Sequence, residues 1–181
     1  MIIVTGTGRS GTSTVARILH TRLNVCMGHS FSSKNSFEEN TMLIICRSVI
    51  GFPKTPAKKG SVYDILRTYE RLHKKCSNTL VGFKSPHLSG FTNQQWKILN
   101  PRLVIRTSRA KELVVASMNS KRRSYPWEDF YTEREQLLST QLVDIPVFVV
   151  DFGNRRIHDT ELVKLLTRPV TYSRGPVRRV C

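Results

Sequence analysis

Apolar residues follow two periods along the chain, and the two periods alternate. Four short runs are apolar nearly throughout and rich in β-branched residues, which predicts strands buried on both faces of a parallel sheet: 2–5, 79–83, 102–107 and 145–152. Helical spacing of apolar residues after the first strand, and again at 38–50, 61–76 and about 159–166, predicts helices between and after them. This alternation predicts a three-layer α/β fold, with helices flanking a central, mostly parallel sheet.

The length of the chain and the composition of its C-terminal segment indicate one domain with a tail. A chain of 181 residues is one ordinary domain, which we assign to residues 1–167. Residues 168–181 contain two prolines and no acidic residue, so we expect a basic C-terminal tail that is extended or mobile. No segment resembles a signal peptide or reaches membrane-spanning length. A soluble, cytoplasmic protein without membrane contact is expected.

The excess of basic over acidic residues indicates which partners the chain attracts. The chain has 29 Lys and Arg against 13 Asp and Glu, a formal net charge of +16, and such a field attracts polyanions. A noncatalytic protein that binds nucleic acid or sulfated glycan through its basic surface therefore stays open as an alternative.

The spacing of the cysteines also indicates the compartment of the protein. Cys26, Cys46, Cys76 and Cys181 are widely scattered and form no CxxC pair. This spacing argues against a zinc site and against a close-spaced disulfide framework, and it favours free thiols in a reducing compartment.

The segment between the first strand and the first helix, residues 6–13, has the composition of a phosphate loop. Its glycines at 6, 8 and 11 let the backbone turn sharply and aim N–H groups inward, and the helix adds its positive N-terminal end. The predicted phosphate ligands are Gly8, Arg9, Ser10, Gly11, Thr12 and Ser13. The loop therefore predicts a P-loop NTPase-like domain. In the spacing GxxxxGK[ST], however, the lysine position holds Thr12.

Residues 4–13, with the sequence VTGTGRSGTS, resemble the loop of P-loop sulfotransferases, which reads [RK]-S-G-T-[ST] after the first strand. The resemblance implies that the loop binds 3′-phosphoadenosine 5′-phosphosulfate (PAPS) as co-substrate and that no metal is required. Arg9 would then neutralise charge on the bridging oxygen as the sulfuryl group leaves for a hydroxyl or amine of a small-molecule or glycan acceptor. Fixed donors aimed at a leaving phosphate agree with this chemistry.

The resemblance also implies a second site, for the 3′-phosphate of PAPS. Arg109 and Ser117 match the Arg-x7-Ser spacing by which sulfotransferases hold that phosphate, and Arg106 is a rival for Arg109. Arg122 and Arg123, just beyond, would close over the same phosphate, or they belong to a charge run that is simply a solvated loop.

Four further residues are candidates for the catalytic step. Glu38 or Glu39 would take the proton of the acceptor hydroxyl, or these acids only favour the start of a helix. Lys84, in the sequence Lys-Ser-Pro-His, resembles the Lys-x-Pro element of sulfotransferases and would hold the transferred sulfonate. His87 is the second candidate base, or it is an ordinary polar loop residue.

A P-loop nucleotide or small-molecule kinase is the other enzyme that the loop allows. It would recruit Asp151, at the end of the last predicted strand, as a magnesium ligand, unless Asp151 only caps that strand. The lysine missing from position 12 argues against this alternative.

Overall fold

A computed structural model of the chain describes residues 1–28, 37–50, 60–76, 80–120, 126–154, 157–167 and 178–180. Its sheet has the order β2-β3-β1-β4-β5-β6, and every neighbouring pair is parallel. The strands are β1 (Ile2–Gly6), β2 (Val25–Cys26), β3 (Leu80–Lys84), β4 (Leu103–Ser108), β5 (Val147–Asp151) and β6 (Arg178–Val180). The predicted α/β fold is confirmed. β6 lies within the segment that we expected to be an extended or mobile tail, where the sequence predicted no strand.

Seven helices cover the sheet in the described part of the chain. They are α1 (Thr12–Arg22), α2 (Asn40–Val49), α3 (Val62–Lys75), α4 (Asn93–Leu99), α5 (Lys111–Asn119), α6 (Trp127–Gln141) and α7 (Asp159–Thr167), with a 3₁₀ turn at Pro86–Gly90 after β3. Side chains set where several of them begin. The carboxylate of Glu39 accepts from the backbone N–H of Met42 at 2.8 Å, so α2 begins at Asn40 rather than at residue 38.

Apolar side chains alternate along the strands and fill both faces of the sheet. On one face, Ile3 and Phe83 pack with α2, α3, α4 and α6, and on the other, Val4 and Ile105 pack with α1 and α7. All four of these side chains are essentially inaccessible to water. Two covered faces explain why the strands appear as continuous apolar runs in the sequence.

The carboxyl ends of the parallel strands meet at one edge of the sheet. Because β1 lies between β3 and β4, residues that follow these three strands are neighbours there. The register places Val4 beside Lys84 and Gly6 beside Thr107. Ligands of open α/β sheets bind at this edge, so the fold positions the site here.

The expectation of free thiols is wrong for two of the cysteines. Cys26 and Cys76 form a disulfide, although 50 residues separate them. They meet because Cys76 ends α3 just before β3, whose Val81 lies beside Cys26 in the sheet. Cys46 is free and buried, and burial raises the pKa of its thiol to about 12. Cys181 lies outside the described residues.

Replacing Cys26 and Cys76 by serine should lower the free energy of unfolding by about 4 kcal/mol. The bridge closes a loop of 50 residues and thereby restricts the unfolded chain. Urea denaturation of the oxidised wild type and of the double variant measures the difference. A reducing agent should bring the wild type down to the level of the variant and leave the variant unchanged. Equal midpoints for oxidised wild type and variant would contradict the bridge.

Within the part of the chain that the structure describes, no helix combines the length and the apolar character needed to cross a bilayer.

Candidate functional site

The phosphate loop is fixed to the neighbouring strand β4. The hydroxyl of Ser10 contacts the Thr107 hydroxyl at 2.7 Å and donates to the carbonyl of Thr7 at 2.5 Å. Gly11, the N-cap of α1, has a φ of 99°, and a Cβ atom there would lie 2.5 Å from the ring of Phe152. The loop is therefore preorganised, and position 11 accepts glycine alone.

A carboxylate on α6 braces the same loop. Glu135 accepts from the Thr7 hydroxyl at 2.5 Å and pairs with Arg106 at 2.6 Å, and both charged side chains are less than one-fifth exposed. Arg106, the rival candidate for the second phosphate site, is thus held in an ion pair that supports the loop.

Lys84 brings a buried cation to the loop from the end of β3. Its Nζ atom donates to the hydroxyl of Ser13 at 3.0 Å and lies 3.1 Å from a carboxylate oxygen of Glu38. The side chain of Lys84 is only 4% exposed. Burial lowers the pKa of this lysine, the Glu38 carboxylate opposes that shift, and the nearby Arg9 adds to it. Ser13 is the [ST] position of the loop, so Lys84 contacts the loop at that position from the neighbouring strand.

Arg9 extends from the loop to helix α5. Its Nε donates to the hydroxyl of Ser117 at 3.0 Å. The structure thus joins one residue from each of the two predicted anion sites. The Nε of Arg109 is buried and has no hydrogen-bond partner in the described part of the chain, and the backbone carbonyl of Arg109 accepts from the Tyr131 hydroxyl at 2.9 Å. Arg122 and Arg123 lie outside the described residues.

The two candidate carboxylates have separate roles. Glu39 is buried and caps α2, as the more conservative interpretation of its position held. Glu38 faces Lys84 and is 15% exposed. Of the pair, the structure therefore brings Glu38 to the site.

His87 lies in the turn after β3 and contacts Arg47 of α2. The Nε of Arg47 donates to the Nε2 of His87 at 3.0 Å, so the ring is a hydrogen-bond acceptor and neutral. Burial, followed by the charges of Arg47, Arg134 and Lys84, lowers the pKa of His87 to about 4. With this lone pair engaged, the arrangement disfavours the predicted role of His87 as a base near neutral pH.

The buried His87 should make stability depend on pH. In the unfolded chain its pKa returns to about 6.5, so the unfolded state binds the extra proton first. Stability should fall as the pH drops from about 6.5 to about 4, by about 3 kcal/mol in total, and level off below. Denaturant titrations of wild type and His87→Asn at several pH values test this. Parallel pH profiles for the two proteins would contradict it.

Asp151 ends β5 and caps its own turn. Its Oδ1 accepts from the backbone N–H of Gly153 at 2.9 Å. Among the described residues, no cluster of three or more His, Cys, Asp or Glu side chains is arranged to hold a metal ion. The capping interpretation of Asp151 accordingly agrees with its contacts.

The chain is similar in fold to solved kinases. A structure of deoxyadenosine kinase from M. mycoides with bound dATP matches with a TM-score of 0.50 and 15% identity, and covers 95% of this chain and 100% of that one. The same enzyme with products dCMP and a flexible dCDP matches with a TM-score of 0.49 and 16% identity, and covers 92% of this chain and 96% of that one. With bound dCTP the TM-score is 0.47 and the identity 13%, and the match covers 92% of this chain and 96% of that one. No family model matches the chain, and no curated protein matches it by sequence.

The prediction of a sulfotransferase is wrong, and with it the prediction of PAPS as co-substrate. A solved structure that matches 95% of this chain is a kinase with bound dATP. The physical reason for the error lies in the loop, because a ring of backbone amides accommodates the phosphates of any nucleotide. The absence of a lysine at position 12 does not exclude a kinase, since Lys84 brings a cation to the loop from β3.

Sequence reasoning missed three charged residues of this region. Glu135, Arg47 and Arg134 lie on helices and belong to no motif, and only the packing of those helices against the strand ends brings them in. Lys84 gave a usable signal, because it directly ends a strand of the predicted sheet.

Proposed function

We propose that the chain is a P-loop kinase that moves the γ-phosphoryl group of a nucleoside triphosphate to a small-molecule acceptor. The observation that carries this proposal is the contact between Lys84 and Ser13, which puts a buried cation against the hydroxyl of the phosphate loop. The fold, which is similar to that of a solved kinase over 95% of the chain, supports it.

Each part of the loop has a role in this reaction. The amides of residues 8–13 and the N-terminal end of α1 would hold the β- and γ-phosphates. The Ser13 hydroxyl would bind the Mg²⁺ that accompanies the triphosphate, together with phosphate oxygens and water, and Mg²⁺ would neutralise charge on those oxygens. Lys84, which reaches the loop from β3, and Arg9, which belongs to the loop, would both face the phosphate charge.

The chemical step needs positioned charge more than covalent help from the protein. An acceptor oxygen forms a bond to the γ-phosphorus, the bond from that phosphorus to the β–γ bridging oxygen breaks, and the nucleoside diphosphate leaves with the electron pair. Negative charge spreads over the oxygens of the transferred group and the leaving group. The carboxylate of Glu38 favours the charged form of Lys84 against the effect of burial on its pKa, and Lys84 also donates to Ser13 of the loop. A base role for Glu38 towards an acceptor hydroxyl stays a prediction.

Titration calorimetry with a non-hydrolysable ATP analogue and magnesium tests the proposal. We expect saturable binding that is at least about tenfold tighter than that of AMP, because AMP lacks the β- and γ-phosphates that the loop would hold. Equal binding of the analogue and of AMP would overturn the proposal. The cytoplasmic location and the contact with polyanions stay predictions.

A further inference from the structure

Arg9 is the arginine of the phosphate loop, and a hydroxyl on a neighbouring helix holds its side chain. The Nε atom of Arg9 donates to the hydroxyl of Ser117, near the end of α5, at 3.0 Å. The next residue of that helix, Met118, also lies against the loop, because a Cβ atom at Gly8 would be 2.9 Å from its Cε atom. The end of α5 therefore packs directly on the loop at residues 8 and 9.

The partner of Arg9 is neutral, whereas the partner of a neighbouring arginine is a carboxylate. Arg106 pairs with Glu135 at 2.6 Å, so its charge is matched. In the described part of the chain, Arg9 pairs with no carboxylate, and the bond from its Nε to Ser117 is the one hydrogen bond of its side chain. A hydroxyl orients a guanidinium without cancelling its charge, and it leaves the two terminal nitrogens, Nη1 and Nη2, as donors.

The backbone of Arg9 has a conformation that is uncommon for a residue with a side chain. Its φ of 70° lies in the left-handed region. Such conformations are concentrated at ligand-binding and active sites, where the surrounding structure holds them. The charge of Arg9 also contributes to lowering the pKa of Lys84. Arg9, held from α5, and Lys84, held from β3, are therefore near enough to act on the same bound phosphates.

We propose that Ser117 is a positioning residue of the kinase reaction, because it holds the guanidinium of Arg9 against the phosphoryl group in transfer. This inference rests on the proposed function. Ser117 itself touches no substrate. It acts by removing rotational freedom from a long side chain, so that the terminal nitrogens of Arg9 are already in place when the reaction begins.

The contribution of Arg9 falls in the transition state. As the bond between the γ-phosphorus and the β–γ bridging oxygen breaks, negative charge grows on that oxygen and is spread over the oxygens of the transferred group. Nη1 and Nη2 would donate to these oxygens. The guanidinium stays protonated throughout, so Arg9 moves no proton. Loss of the anchor should therefore affect kcat more than the KM for ATP.

Transfer from γ-labelled ATP tests the inference, with magnesium and with the common deoxynucleosides, their 5′-monophosphates and water as acceptors. Kinetic constants are compared for the acceptor that receives the most label. Ser117→Ala should lower kcat about 10-fold and leave the KM for ATP within about twofold. Ser117→Thr retains the hydroxyl and should stay within about threefold of the wild type. Ser120→Ala, at an exposed serine that ends the same helix, is the control and should match the wild type.

A second substitution shows whether Ser117 acts through Arg9. Arg9→Met keeps an unbranched side chain but has no donor for Ser117 to hold. In the Arg9→Met background, Ser117→Ala should therefore change kcat by less than about twofold, because the two substitutions remove the same effect. A role of Ser117 in packing alone would give the same loss of kcat in both backgrounds.

The possible failures are distinguishable. An unchanged kcat in Ser117→Ala, an equal loss in Ser117→Thr, or the same loss in both backgrounds would overturn the inference and leave the kinase standing. Absence of label in every acceptor, water included, would overturn the proposed function together with the inference. Thermal unfolding of each variant shows whether a lost signal reflects loss of fold. If Ser117→Ala unfolds, Ser117→Cys, whose thiol is a weak acceptor, takes its place in the same comparison.

Discussion

The double variant Lys84→Met, Glu38→Gln should lose about 100- to 1,000-fold in kcat for phosphoryl transfer and stay folded. The expected loss is that of a fixed donor aimed at charge that develops in the transition state. Both partners of the buried pair are changed because Lys84 is 4% exposed, and removing it alone would leave a mostly buried carboxylate without its cation. Steady-state kinetics with γ-labelled ATP measures the effect.

Single variants separate catalysis from folding. Lys84→Met alone should also cost on the order of 3 kcal/mol in stability, as expected when one partner of a buried ion pair is removed. Glu38→Gln alone reports on the carboxylate. Lys97→Met is the matched control, because that lysine is 58% exposed and lies 4.0 Å from Asp144, away from the loop. A double variant with kcat within about threefold of the wild type would show that Lys84 is not the cation of the reaction.

Gly11→Ala is expected to weaken binding of the ATP analogue by at least about 100-fold, because close packing and the backbone conformation both exclude a side chain at this position. The φ of 99° is a left-handed conformation, and the new methyl group would lie 2.5 Å from the ring of Phe152. Relief would require the loop or the ring to move, and either movement displaces the amides that face the phosphates. Calorimetry on the purified variant gives the affinity.

Gly153→Ala is the control for this substitution. Gly153 also has a positive φ, 47°, but nothing lies within 4 Å of the added atom, so only the backbone preference is lost. We expect a small loss of stability, about 1 kcal/mol, and no change in affinity. Wild-type affinity in Gly11→Ala would contradict the role assigned to the phosphate loop.

Local patterns in the sequence were sufficient for the fold class and for four of the six strands that the structure describes. The strands appeared as apolar runs because both faces of the sheet are covered, and the loop was visible because its glycines, hydroxyls and following helix are contiguous in the chain. The sequence did not predict β2, because a strand of two residues has no measurable period. The disulfide between Cys26 and Cys76 was not predicted, because it depends on which strand lies beside β3 in the sheet.

The chemistry of the site was harder to predict because it depends on residues that are distant in sequence. The motif identified an anion-binding loop, and such a loop does not distinguish a sulfuryl donor from a triphosphate. Position 12 holds no lysine, and the register of β1 against β3 places Lys84 next to the loop instead. Likewise, the sequence alone does not place Arg47 and Arg134 near the site, because their position depends on how α2 and α6 pack against the turn after β3.

A crystal structure of the chain with magnesium and a non-hydrolysable ATP analogue tests the central claim most directly. We expect the β- and γ-phosphates within the amides of residues 8–13, with Lys84 Nζ within hydrogen-bond distance of a phosphate oxygen and the Ser13 hydroxyl on the metal ion. Phosphates bound elsewhere, with Lys84 still held between Glu38 and Ser13, would contradict the account.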